Sequence, residues 1–164
     1  MFRTGVLVAA TLAMGLMAGL FTAFAYAIMP ALSRSDDRTF VGAMQSINVA
    51  ILNGWFFLSF LGALVLPAVA AVLHLGRGSR AALPWIVAGL VLYVVVLVVT
   101  FGFNIPLNDR LVAAGAPDRI PDLAAVREQF EAAWIRWNVV RALASTAALG
   151  CLAWALVVNG RLTT

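Results

Sequence analysis

Arg141, Asn138, Asn104, Asn108, Asp109 and Asn48 are the residues of this chain whose types and places could do chemistry. Each lies at the border of a long apolar run. There, amide and ionisable side chains are costly and mark a functional site by default. Asn48 and Asn53 open one run, and Asn104 closes another, with Asn108, Asp109 and Arg110 just beyond it. Asn138 and Arg141 open a third run, while Thr22, Tyr26 and Met29 close the first. Arg141 stands out because it lies a turn inside its run with no acid at helical spacing on the same helix. Its partner must be Asp109, Asn104 or an oxygen of a ligand. The chemistry on offer is therefore the holding of a polar oxygen inside an apolar wall.

Helical spacing sharpens the picture. Thr11, Gly15, Gly19, Thr22, Tyr26 and Met29 share one stripe; Gln45, Asn48, Leu52, Trp55 and Ser59 share a second; Trp134, Trp137, Asn138, Arg141 and Ser145 share a third. Gly15 and Gly19 form a GxxxG pair suited to close helix packing. Three stripes that turn polar at one depth predict a shared pocket at one end of a helical assembly. Each residue also has a structural reading on its own. Tryptophans form belts at membrane boundaries, arginines near helix ends snorkel, and asparagines hold helices together.

The elements that must position these residues follow from composition. Of the 164 residues, 63% are hydrophobic and 11% charged. Soluble domains are nearer half apolar and a quarter charged, and the mean hydropathy here is +1.00. An ordinary soluble enzyme and a disordered chain are excluded. The net charge is +4, but the arginines form no run or stripe, which argues against nucleic acid as a partner. The expected fold is all-α, one integral membrane four-helix bundle over residues 1–164, with spans at about 5–29, 50–75, 84–103 and 139–158.

Pro30 is expected to end the first span. Ala-Phe-Ala and Ala-Tyr-Ala near its end resemble leader cleavage sites, but the apolar stretch is long for a leader, so a retained helix is expected. Ser33-Arg34-Ser35-Asp36 fits a capping box with Ser33 as the cap. The helix begun there is expected to run on to Leu75, bending at Pro67. Arg77 and Arg80 form a short basic turn, and Pro84 suits the first position of the third helix. Asn104 to Leu107 is expected to stop that helix, leaving 104–121 as the longest connection. Asp122 then caps an amphipathic stretch that continues into the fourth span and closes at Gly160.

Four spans put both termini on one side. The short turn holding Arg77 and Arg80 carries no acid, which places it and both termini in the cytoplasm of a bacterial-type cell membrane. His74 lies at the opposite end from the polar cluster and is expected to snorkel at the boundary. Cys151, alone, reads as a small apolar filler. No metal is expected, because no span carries a pair of ligands at metal spacing. There is no CxxC, which excludes a thiol oxidoreductase. No acid sits mid-span, which argues against a proton-coupled pump.

Several segments together resemble one family. They are Gly19-Leu20-Phe21 with Phe24, Met29-Pro30-Ala31-Leu32, Met44-Gln45-Ser46-Ile47-Asn48, Asn104-Ile105-Pro106-Leu107-Asn108, and Trp134 with Trp137-Asn138 and Arg141. The chain is similar along most of its length to the anthrone oxygenase family of four-helix membrane proteins. Its fungal members oxidise anthrones to anthraquinones without a known metal or flavin. The resemblance implies an oxidoreductase that needs no cofactor and acts with O2 on a hydrophobic aromatic. Arg141, Asn138 and Asp109 would then be catalytic. Tyr26, Asn48, Trp55, Asn104, Asn108, Trp134 and Trp137 would bind the substrate, its aromatics by stacking. The alternative reading is a non-catalytic membrane protein that binds a lipid, a quinone or a partner helix through the same polar pocket. Association with further copies of the chain stays open.

Overall fold

The computed structural model describes residues 1–76 and 80–161. Arg77 of the expected basic turn and Thr164 lie outside the described residues. Within them the regular structure is entirely helical: α1 (Phe2–Leu32), α2 (Asp37–Ala50), α3 (Gly54–Leu73), α4 (Leu83–Ala113) and α5 (Leu123–Arg161), with a single 3-10 turn at Pro117–Arg119. Helices α1, α3, α4 and α5 are each long and apolar enough to cross a membrane. They pack as a ring, α1 against α3 and α5, and α4 against the same two. Leu7, Met14, Met17, Ile86, Tyr93 and Leu152 fill the middle without exposure. Gly89 sets the closest approach: a Cβ there would come within 3.2 Å of the Ala148 carbonyl and the Leu152 side chain. The GxxxG pair has no such role. Gly15 faces only a Leu149 methyl at 3.7 Å, and Gly19 has open space beside it.

At the end holding both termini, His74 is wholly buried. Its Nδ1 donates to the Ala70 carbonyl at 2.7 Å, and its Nε2 meets the Asn159 side chain at 3.2 Å. Asn159 in turn donates to the Thr4 hydroxyl. The expectation of a snorkelling histidine is thus corrected: the ring ties α3 to α5, and through Asn159 to α1. His74→Ala should lower stability by about 2 kcal/mol, or roughly 4–8 °C in melting temperature, by leaving a buried amide short of a partner. Thermal melting in detergent checks this, and ligand binding at the far end should not change.

The far end departs from the expected boundaries in three places. Neither Pro30 nor Pro106 ends a helix. Each follows a π turn, Phe24–Ile28 in α1 and Thr100–Asn104 in α4. The N–H of Met29 bonds back to the Phe24 carbonyl, and that of Ile105 to the Thr100 carbonyl. A proline lacks an N–H and crowds the carbonyl four residues back; the extra residue in the turn before it lets the chain stay helical. Helix α4 therefore runs on to Ala113 and ends at Gly115, whose φ of +90° is the left-handed terminus that glycine favours. The long connection shrinks accordingly.

The expected second helix is two. It breaks at residues 51–53, because Asn53 leaves the helix and caps the next one, accepting from the N–H groups of Trp55 and Phe56. Helix α3 then continues through Pro67. The cap of α2 is Asp36, not Ser33, and it accepts from the Thr39 N–H. That bond, with a second from the Thr39 hydroxyl, holds the Asp36 carboxyl below its usual pKa range. Ser33 instead donates to Glu131 on α5. Asp122 caps α5 as expected, accepting from the Ala125 N–H.

Arg127 locks the α1–α2 turn onto α5. Its guanidinium donates to the carbonyls of Ser33 and Ser35 and to the carboxylates of Asp37 and Glu131, and it covers the Phe40 ring. Arg127→Ala should cost about 2–3 kcal/mol, since charge-assisted bonds to two carbonyls are lost. Chemical unfolding in mild detergent checks this.

Candidate functional site

A cavity of about 430 Å³ opens at the far end, between α1, the α2–α3 junction, α4 and α5. That lies within the size range of small-molecule sites, about 300–1,000 Å³. Its wall is largely aromatic: Phe21 and Phe24 of α1, Phe56, Phe57 and Phe60 of α3, Phe101 of α4 and Trp134 of α5. The π turn of α4 builds much of one side, because Thr100, Phe101 and Asn104 all line the cavity. Such turns recur at functional sites, since the extra residue re-aims the side chains around it. Tyr93 fixes the level just below, its hydroxyl donating to the Phe60 carbonyl at 2.9 Å.

Arg141 is the charge at the bottom, only 7% exposed. One terminal nitrogen donates to Asn138 Oδ1 at 2.9 Å. The guanidinium carbon lies 4.5 Å from the Phe21 ring centre and 5.4 Å from that of Trp134. These contacts hold a cation in an apolar place, but none neutralises it. No carboxylate pairs with Arg141 among the described residues. Its Nε is buried and has no hydrogen-bond partner. Asn138 is engaged at both ends of its amide, since its Nδ2 donates to the Phe21 carbonyl at 3.0 Å. Asn138 therefore orients Arg141 and does not line the cavity.

Two further residues of the lining carry a buried, unsatisfied atom. Asn104 reaches the Trp134 carbonyl with Nδ2 at 3.4 Å, and its Oδ1 is buried without a partner. Asn48 Nδ2 is likewise buried and unpartnered. Buried polar groups almost always find partners, so three orphans in one cavity need an explanation. Two are donors and one is an acceptor. A ligand with an oxygen for Arg141 and Asn48 and a hydroxyl for Asn104 would satisfy the set. Asn108 is committed elsewhere, accepting from the Trp134 indole N–H at 2.8 Å and so fixing that ring. Asp109 lines the cavity at its exposed rim. Among the described residues no three His, Cys, Asp or Glu side chains cluster as a metal site requires.

Of the residues singled out from the sequence, Asn48, Asn104, Asn108, Asp109, Trp134 and Arg141 line one cavity, with Asn138 behind Arg141. Tyr26, Trp55 and Trp137 do not line it. Tyr26 is 71% exposed, on the side of α1 where Gly19, seven residues before it, is already exposed. Trp55 is 81% exposed because the break at Asn53 interrupts the stripe that led from Asn48. Trp137 stacks on Phe103, ring centres 3.8 Å apart, and so faces α4 beside the cavity. The phenylalanines of the wall were missed. The one signal for them was the crowding of Phe56, Phe57 and Phe60 on one helix start.

The chain matches the model of a family described as anthrone oxygenase over residues 55–151. The match takes in α3, α4 and the part of α5 that carries Trp134, Asn138 and Arg141. No curated protein and no solved structure matches the chain.

Proposed function

The chain belongs to the anthrone oxygenase family, and from that premise we propose that it is a membrane-embedded oxygenase of a hydrophobic aromatic. The observation that carries this reading is Arg141: a buried guanidinium with a free Nε, no counter-ion and an aromatic cavity in front of it. Such a group favours a ligand oxygen on which negative charge develops.

The chemistry fits an anthrone. Its methylene lies between two aryl rings and opposite a carbonyl, so loss of one proton gives an aryl-oxide anion. That anion can pass an electron to O2 without help. Recombination of the radical with superoxide forms a carbon–oxygen bond, and loss of water leaves the quinone; one O2 is consumed and one water released. The protein has three tasks: to hold the flat rings, to stabilise the oxide and to take the proton. The phenylalanine wall and Trp134 would do the first. Arg141, held by Asn138, with Asn48, would do the second. Asp109 at the rim would do the third. Asn104 Oδ1 would accept from a ring hydroxyl.

Proteoliposomes containing the chain should consume O2 when given an anthrone and release the anthraquinone in equal amount. Tight binding of the aromatic without O2 uptake would instead identify a carrier that uses the same pocket. In the membrane, the four long helices span with both termini in the cytoplasm. A reporter fused after Thr164 should then read as cytoplasmic and one inserted near Pro117 as outside; the opposite pattern reverses the orientation.

A further inference from the structure

The exposure of the cavity's own lining shows where it opens. Arg141, Trp134, Phe21, Phe24 and Asn104 are buried, whereas Val49, Leu52, Phe57, Phe101 and Val112 line the same space and are exposed, Leu52 at 62% and Phe101 at 61%. The exposed set comes from the α2–α3 junction, the first turn of α3, and α4. The mouth is therefore a seam in the side of the ring, between α3 and the upper part of α4. The fold explains the seam. Above Tyr93, the π turn of α4 packs on α5, and the segment after Pro106 packs on α2 and α5. Helix α3 itself starts only at Gly54, leaving its first turn to frame one jamb.

We propose that the ligand enters sideways from the bilayer through this mouth, as an uncharged molecule, and meets Arg141 only inside. The proposal rests on reading the four long helices as spans. Phe101 lies eighteen residues after the start of α4, about 27 Å along the helix axis, so a hydrocarbon core of about 30 Å that begins at Leu83 still covers this side of the mouth near its outer edge. The residues framing it are apolar but for Asp109, which lies eight residues beyond Phe101 on α4, about 12 Å nearer the water. Arg141 and Asp109 are the only charged residues of the lining. Asp109 stands at the exposed rim, where it repels anions, while the cation waits at the floor. The arrangement admits a neutral weak acid dissolved in lipid and stabilises its anion once it is in place. A cavity open to water would work the other way, drawing soluble aromatic anions straight to Arg141.

The test uses the full chain in liposomes and two probes, 1-hydroxyanthraquinone, which dissolves in lipid, and anthraquinone-2-sulfonate, a permanent anion. Binding is followed by quenching of tryptophan fluorescence. The hydroxy compound should bind, and the sulfonate should bind at least about tenfold more weakly despite its charge. Sulfonate binding as tight as that of the hydroxy compound overturns the lateral route. Leu52→Trp narrows the mouth from a lipid-facing position. It should slow both association and dissociation of the hydroxy compound by about tenfold, with Kd changed by less than about threefold. Unchanged rates overturn the proposal. Val112→Cys in a Cys151→Ala background serves as a second variant, compared before and after attachment of a bulky maleimide, so that the same folded protein is its own control. Arg141→Gln separates the two ideas. If it leaves Kd unaltered, the reading of the cavity floor fails; if it weakens binding while Leu52→Trp leaves the rates alone, only the mouth fails.

Discussion

Arg141→Gln should abolish nearly all turnover while the protein still folds. Removing one preorganised donor from an oxyanion site costs about 10²–10³ in kcat, and Arg141 supplies the only positive charge of the cavity lining. Arg141→Lys should rescue little. An ammonium cannot hold Asn138 with one nitrogen while keeping further donors in a fixed plane, as the guanidinium does. Stability should behave differently. A buried cation with no carboxylate partner is costly to the fold, so Arg141→Gln should keep the unfolding free energy within about 2 kcal/mol of the parent, the loss at Asn138 offset by relief of the desolvated charge. Parallel measurement of O2 uptake and thermal melting decides between roles. A sharp fall in melting temperature with residual activity in the folded fraction would make Arg141 a structural residue.

How far this was legible in the sequence depends on the physical signal. The four apolar helices were plain, because length and hydropathy fix them whatever their neighbours do. The α5 stripe was also legible. Trp134, Asn138, Arg141 and Ser145 lie on an uninterrupted helix, where steps of three and four hold their face. On α1 and across the α2–α3 junction the same arithmetic failed. Tyr26 shares the side of α1 on which Gly19 is already exposed, and Trp55 lies beyond a cap that redirects the helix after it. The prolines were visible, but sequence rules offer a stop or a kink at proline, and the third solution, one extra residue in the turn before it, has no local signature. His74 was misread for a related reason. Its partner Asn159, and the Thr4 to which Asn159 donates, come from two other helices, and no local pattern announces such a meeting. Gly89 likewise gains its importance only from the α5 backbone opposite.

Asp109→Asn should be the second variant with a large loss, a fall in kcat of about 10²–10⁴, as expected for a general base. Two features of the cavity single out this carboxylate. It is the one acid in the lining, and it does not pair with Arg141. Had the two closed a salt bridge, the base would be quenched and the oxyanion site filled by the protein itself. Held apart, they can act on opposite ends of one substrate: the proton leaves toward the rim as charge builds on the oxygen over Arg141. The rim is also where a base must stand to release its proton to water between turnovers, since the floor is sealed by Phe21, Phe24 and Trp134. Asparagine keeps the shape and polarity of the side chain, so substrate affinity should shift by less than about threefold while turnover collapses. Asp109→Ala opens space at an exposed position, and added formate should restore part of the rate by taking the vacated place. Turnover of Asp109→Asn at the parental rate would show that water at the rim, not this carboxylate, receives the proton. Arg141 would then carry the reaction by stabilising the anion alone.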